Sequence, residues 1–388
     1  MSVPERVRVA VIGAGQAGLS VAFYLRRFEL VADEDFVILD RAPGPGGAWQ
    51  HRWPALRLGT AHRVNDLPGM AELGLSFDTA DRSLPAREVI ADYYGRYEQH
   101  FQLNVHRPVG VRRVSNEGAD LLIEYEDLSP QPVEEQRVRG FFGRRRRTFE
   151  QPGRPAVPTS ELRASFVVNA TGTWGSPFVP YYPGMTEFRG RHLHTSDYVD
   201  AEDFRDQHVI VVGGGTSAIG FMLELEHVAA ELTWVSRRPI DWLDRQELDL
   251  EGASAAVAKQ DEAARSGRAL PSVVSGTGVP KNRRIAAGIE RGLLVARPMF
   301  ERIEADHVVF PDGSTAQADA IIWATGFRPE LRHLAPLRLR EKSGGVTVGQ
   351  GAAWNDPRVF LAGYGPQAST VGASRAGRMI ARQIMAML

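Results

Sequence analysis

Cysteine is absent from all 388 residues. That absence excludes disulfide scaffolds, thiolate metal sites, iron–sulfur clusters held by Cys, and any Cys nucleophile. An excess of either charge is lacking too. Lys and Arg number 46 against 47 Asp and Glu, a formal net charge of −1, so there is no general pull toward nucleic acid or an anionic membrane. No apolar run approaches the ~18 residues of a membrane span. The opening Met1–Gly15 reaches strand-forming residues by Val7 without the apolar core and cleavage site of a secretory signal. A soluble, cytoplasmic chain is expected. The histidines show no HxxxH or His–carboxylate spacing that would gather a metal, and none is expected.

What is present is one plan, used twice. Val7–Ile12 is a β-branched strand followed by Gly13-Ala14-Gly15-Gln16-Ala17-Gly18 and a helix-like run from Leu19 to Phe28. His208–Val212 is followed by Gly213-Gly-Gly215-Thr216-Ser217-Ala218 and a helix expected to reach about Ala230. Each leads to a second apolar strand, Phe36–Leu39 ending at Asp40, and Leu232–Val235 ending at Ser236-Arg237-Arg238. Strand, glycine turn and helix form the opening of a dinucleotide-binding unit. Gly13 makes the tight turn, Gly15 lets a pyrophosphate approach the backbone, and Gly18 permits close helix–strand packing. The helix N-terminus then faces the anion. Asp40 follows at about the ~20-residue spacing of an acid that accepts hydrogen bonds from a ribose. At the second site arginines replace the acid, and guanidinium groups bind a 2′-phosphate where a carboxylate would repel it. That predicts NADPH rather than NADH. Two dinucleotide sites in one chain imply a flavoprotein, with FAD, fed by a nicotinamide cofactor.

Between and beyond these units, Val109–Val114 and Leu121–Tyr125 read as small antiparallel strands, and Phe166–Val168 and Ala320–Trp323 as buried ones. Ser129–Pro158, with Arg144–Arg147 near its centre, reads as an exposed insertion whose charge run is solvated.

Further segments carry a resemblance. Gly46-Gly47-Ala48-Trp49 resembles a GG-x-W step that covers a flavin. Ala170-Thr171-Gly172, with prolines spaced behind it, and Ala324-Thr-Gly-Phe-Arg-Pro329 look like paired ATG hinges. Phe188, Gly190, His194 and Tyr198 match an FxGxxxHxxxY motif at every fixed position, and Leu361–Gly372 is similar to a flavin-closing C-terminal segment. Together, and in this order, they resemble the flavin-containing monooxygenases (class B flavoprotein monooxygenases), particularly short soluble bacterial members. Plant YUCCA-type and Baeyer–Villiger enzymes are cousins. The resemblance covers about residues 5–127, 160–240 and 318–386.

The resemblance implies an α/β fold of two Rossmann-like domains. A discontinuous FAD domain, 1–175 plus 320–388, would enclose an NADPH domain, 176–319. Gly13, Ala14, Gly15, Gln16, Ala17, Gly18, Asp40, Arg41, Gly47, Ala48, Trp49, Val111, Ala170, Thr171, Gly172, Gly363 and Gly372 would line FAD. Gly213, Gly215, Thr216, Ser217, Ala218, Ser236, Arg237 and Arg238 would hold NADPH. Reduced flavin and O2 would form a C4a-(hydro)peroxyflavin that oxygenates a small soft nucleophile. Tyr198, where Baeyer–Villiger enzymes usually carry Trp, leans toward sulfoxidation or amine oxidation, with ketones still open. The hinges would let the nicotinamide end swing. Gly59 stands where mammalian-type enzymes carry an Asn at the flavin, so Thr60, His62 or a water would substitute, with His194 at the interface as structural support. The alternative is an NADPH oxidase or redox sensor that releases peroxide, favoured by Gly59. A disulfide reductase fails for want of cysteine. The partners are a small molecule and O2, and a homodimer is compatible with the sequence.

Overall fold

The computed structural model describes residues 2–61, 64–129, 159–244, 250–270, 278–368 and 370–388. His62 and Arg144–Arg147 lie outside them.

Strands β1 (Arg6–Ile12), β2 (Phe36–Leu39) and β3 (Val105–His106) pair in parallel, and β6 (Ser160–Asn169) pairs in parallel on the other side of β1. β4 (Val109–Glu117) and β5 (Asp120–Asp127) form the expected antiparallel pair, longer than read, with β5 continuing onto β6. Alternate residues of these strands serve two cores. Val9, Val11, Ile38 and Val168 face α1 (Gln16–Arg27), α2 (Ala86–His100) and the C-terminal helix Thr370–Met387; Ala10, Ile12, Leu39 and Val167 face the β4–β5 layer. A sheet covered on both sides buries nearly every position, which is why β2 is apolar throughout. The C-terminal helix reaches α1 closely because Gly377 has no side chain: a Cβ there would lie 2.7 Å from the Ser20 carbonyl carbon.

The second unit is a four-stranded parallel sheet. In it, β7 (Arg191–His194) neighbours the strand Ala320–Trp323, which pairs with β8 (His208–Val212), which pairs with β9 (Glu231–Val235). Helix α3 (Thr216–Leu225) covers one face, and the small antiparallel strands between Arg302 and Gln317 cover the other. Two expectations change. The helix ends at Leu225 instead of near Ala230. The border expected at 319/320 falls inside this sheet, because Ala320–Trp323 sits at its centre between β7 and β8, buried throughout. The chain returns to the first unit only after Trp323. Val348–Gly349, Ala352–Ala353 and Asp356–Leu361 then extend the nine-stranded sheet beyond β6.

Candidate functional site

The two glycine turns are built alike. Gly13 has φ +105°, and a Cβ on it would stand 2.5 Å from the Ala170 carbonyl oxygen; Gly213 has φ +138°, and its Cβ would stand 2.3 Å from the Ala324 carbonyl oxygen. Each ATG segment therefore presses on the first glycine of its own unit. Each is also tied to the strand before that glycine, Ala170 N–H donating to Ile12 O at 2.8 Å and Ala324 N–H to Val212 O at 2.8 Å. Sheet order explains this: β6 flanks β1 as Ala320–Trp323 flanks β8, so each ATG leaves its sheet at the carboxyl edge beside the glycine turn, where open α/β sheets take ligands.

Helices α1 and α3 begin at Gly15 and Gly215, in extended backbone, with no side-chain cap and no acid in the first turn. N-termini so arranged suit an anion. Space is set by bare backbone: a Cβ on Gly47 would lie 2.8 Å from the Gly15 Cα, and one on Gly363 would lie 3.3 Å from the Ala17 Cβ. Asp40 is buried, its two oxygens accepting from Ala14 N–H at 2.6 Å and Ala42 N–H at 2.8 Å. It fixes the turn and keeps lone pairs for a further donor. In the second unit Ser236 is buried, its hydroxyl donating to Arg238 O at 2.8 Å, while Arg237 and Arg238 are exposed past the end of β9. Trp234 Nε1–H secures the turn by donating to Gly213 O at 2.7 Å. Uncapped helix starts, glycines that admit no side chain, an acid after β2 and arginines after β9 fit FAD at the first turn and NADPH at the second.

The two ATG segments run antiparallel as a ribbon. Phe178 N–H donates to Gly326 O at 3.0 Å, Arg328 N–H to Ser176 O at 2.8 Å, and Glu330 N–H to Gly172 O at 3.0 Å. Their threonines face across it, Thr171 Oγ1 donating to Glu330 O at 2.8 Å and Thr325 Oγ1 to Phe178 O. Ser176 Oγ donates to Glu330 Oε2 at 2.7 Å. Behind Thr171, Asn169 Oδ1 lies 3.1 Å from its Oγ1 and accepts from His333 Nε2 at 2.8 Å. Burial pushes the His333 imidazole down to about 4, so it is neutral.

The arm after GG-x-W joins the units in a way the sequence does not announce. Trp53 is 5% exposed and lies in the second unit's core, its ring 5.2 Å from Phe221 and 5.7 Å from Tyr198. Its Nε1–H donates to Glu224 Oε1 at 3.0 Å, and the Tyr198 hydroxyl donates to Glu224 Oε2 at 3.0 Å. Burial raises the Glu224 carboxyl, against the pull of these two donors. Trp174 stacks on Phe327 at 4.9 Å, and the Arg52 guanidinium lies 4.5 Å from Trp174 and 5.6 Å from Trp49.

These contacts give the FxGxxxHxxxY motif a scaffolding role. Gly190 admits no Cβ, which would stand 2.4 Å from Asp319 O. His194 is buried; Ser196 N–H donates to its Nδ1 at 3.2 Å, so its Nε2–H donates to Gly326 O at 2.9 Å, and burial lowers its pKa. His194 thus fastens β7 to the second ATG segment. Tyr198 is committed to Glu224 within the second core. Gly59 and Thr60 are exposed. Gly59 N–H donates to Arg82 O at 2.8 Å, and Thr60 turns its hydroxyl back to Arg57 O at 3.1 Å. Val111 sits at a bulge of β4, and Arg41 lays its guanidinium against Gly175. Trp53, Glu224, Phe327, Glu330 and His333 were not singled out from sequence. Of the tryptophans at this site, Trp49 and Trp174 carried a signal, each through its motif neighbours.

The family model described as pyridine nucleotide-disulphide oxidoreductase matches residues 7–256. The flavin-containing monooxygenase from Stenotrophomonas maltophilia is 31% identical, with a TM-score of 0.74 and 99% of each chain covered. An uncharacterized oxidoreductase of Bacillus velezensis is 23% identical over 90% of each chain. An indole-3-pyruvate monooxygenase of rice is 26% identical over 86% of this chain and 76% of its own. With no cysteine, the disulfide half of the family model's description has no chemical basis here. The chain belongs to the flavin monooxygenases, built on the pyridine nucleotide-disulphide oxidoreductase framework, and is an oxidoreductase.

Proposed function

We propose that this chain binds FAD at the Gly13–Gly18 turn and NADPH at the Gly213–Ala218 turn, and uses O2 to oxygenate a small soft nucleophile, an organic sulfide or amine, through a C4a-(hydro)peroxyflavin. The observation that carries the reading is the paired ATG ribbon, which presses one end on each glycine turn and so directs two nucleotide sites to one seam. The flavin, when bound, supplies the redox and oxygen chemistry. The protein's part is binding and exclusion. Uncapped helix starts take the phosphates, Arg237 and Arg238 take the 2′-phosphate, and Trp49, Trp174 and Phe327 wall the seam against water. Cofactor lining is proposed for the residues expected from sequence, with the second unit carried through Trp323.

Mixing the NADPH-reduced, anaerobic protein with O2 tests this. A transient adduct absorbance that decays faster with an added organic sulfide is the expected result. Direct return to oxidised flavin with stoichiometric peroxide would instead establish an NADPH oxidase. The exposed, side-chain-free Gly59 is the observation that favours that second reading.

A further inference from the structure

Arg52 is a largely enclosed cation without a counter-charge among the described residues. Its side chain is largely enclosed between the Trp49 and Trp174 indoles, 5.6 and 4.5 Å from its guanidinium carbon. Its Nε is buried without a hydrogen-bond partner, and among the described residues no carboxylate lies within ion-pair distance. Burial alone pushes it down to about 10. Its own shift carries no contribution from a neighbouring charge. His51 stacks on the same Trp174 at 6.1 Å, with its pKa lowered by burial and by Arg41, whose guanidinium lies against the neighbouring Gly175. The acid beside His51, Asp40, accepts from Ala14 and Ala42 N–H and forms no ion pair with Arg52. Arg107, whose Nε is likewise buried without a partner, has its charge answered by a two-point pair with Glu98 at 2.6 and 2.8 Å. A guanidinium held out of water without a counter-charge is costly, and it recovers that cost only when an anion meets it. Stacking on indole faces leaves its in-plane N–H edge for such a partner, in the fork geometry that matches a planar oxyanion.

We propose that Arg52 is the anion receptor of the seam, taking an oxyanion carried either as a carboxylate on the oxidisable substrate or as a phosphate of the pyridine nucleotide. Substrates bearing a carboxylate beside a flat, soft-nucleophilic body fit the first source, since the same two indoles would hold the body. The proposal rests on the flavin-monooxygenase reading for the location of the seam, and its test needs no turnover.

Benzoate and, separately, inorganic pyrophosphate are titrated into the FAD-loaded protein while tryptophan fluorescence is followed, and NADP⁺ affinity is measured in parallel. The wild type is expected to bind at least one probe saturably. Arg52→Met should weaken that binding about tenfold or more, and Arg52→Lys, which keeps the charge but loses the fork, should fall between. Benzoate binding lost with NADP⁺ affinity unchanged assigns the site to substrate; pyrophosphate binding lost with weaker NADP⁺ assigns it to the nucleotide. Flavin content and thermal denaturation report whether each variant is folded, and Arg52→Lys decides the matter should Arg52→Met lose its flavin. A wild type that binds neither probe, or substitutions that change neither probe nor NADP⁺ affinity, overturns the proposal. Because no oxygenation is read, failure of the stopped-flow experiment and failure of this one are separate results.

Discussion

Single residues at this site are chosen for what they leave out or cannot hold. Gly13 and Gly213 sit in backbone that L side chains rarely adopt, with a carbonyl where a Cβ would go. Gly13→Ala is expected to cost about 1–3 kcal/mol from backbone strain alone, more from the clash with Ala170, and to empty the flavin site. Bound-flavin absorbance of the purified protein checks it. Arg237 and Arg238 are exposed, so their joint replacement by Ala should leave the melting temperature nearly unchanged. It should reduce the NADPH over NADH preference in kcat/KM by about tenfold or more, through loss of charge-assisted contacts. An unchanged preference would remove the 2′-phosphate assignment. His333 gives a pH prediction. Its folded pKa of about 4 lies below the ~6.5 of an unfolded His, so the unfolded chain binds the extra proton. Stability from this group is complete above pH ~6.5 and is lost as pH falls toward about 4, amounting to about 3 kcal/mol. His333→Gln, which can still donate to Asn169 but does not titrate, should flatten the melting temperature between those pH values.

Elements matter here through where they end. Each ATG segment follows a strand lying beside the glycine-turn strand, so the exit is delivered to the carboxyl edge by strand order rather than by its own sequence. The arm carries the other connection. Trp53→Phe keeps the ring against Phe221 and Tyr198 but deletes the donor to Glu224, leaving a half-buried carboxylate with one partner fewer. A loss of about 1–2 kcal/mol in denaturant unfolding is expected, with faster amide exchange in the arm and little change in α1. Equal exchange in both variants would show that the hydrogen bond does not hold the arm.

For the whole molecule, the ribbon and the arm together oppose free swinging of the second unit on two simple hinges. The ribbon is laced by backbone and threonine bonds, and Trp53 is seated in the other unit's core. Trp53→Ala opens a large cavity at that joint, a substitution that typically costs about 3–5 kcal/mol. Calorimetry of this variant should resolve two transitions where the wild type shows coupled unfolding. A single transition in both would place the coupling in the ribbon.

The sequence by itself determined the local chemistry: two glycine turns, the acid after one and the arginines after the other, the missing cysteine, and the order of motifs that marks the family. Such features are legible because each depends on a few adjacent residues, a glycine where only glycine fits or a charge at the end of a strand. The tertiary structure decided what joins them. That Ala320–Trp323 belongs to the second sheet depends on pairing with strands more than a hundred residues away, which apolar composition cannot specify. That Trp53 lies in the second core, that Tyr198 faces Glu224, and that Arg52 lies against two indoles with no acid paired to it among the described residues are likewise outcomes of packing. An isolated Trp or Arg in a sequence reads the same whether it meets water, a carboxylate or another ring, because burial and partners exist only once distant segments have been brought together.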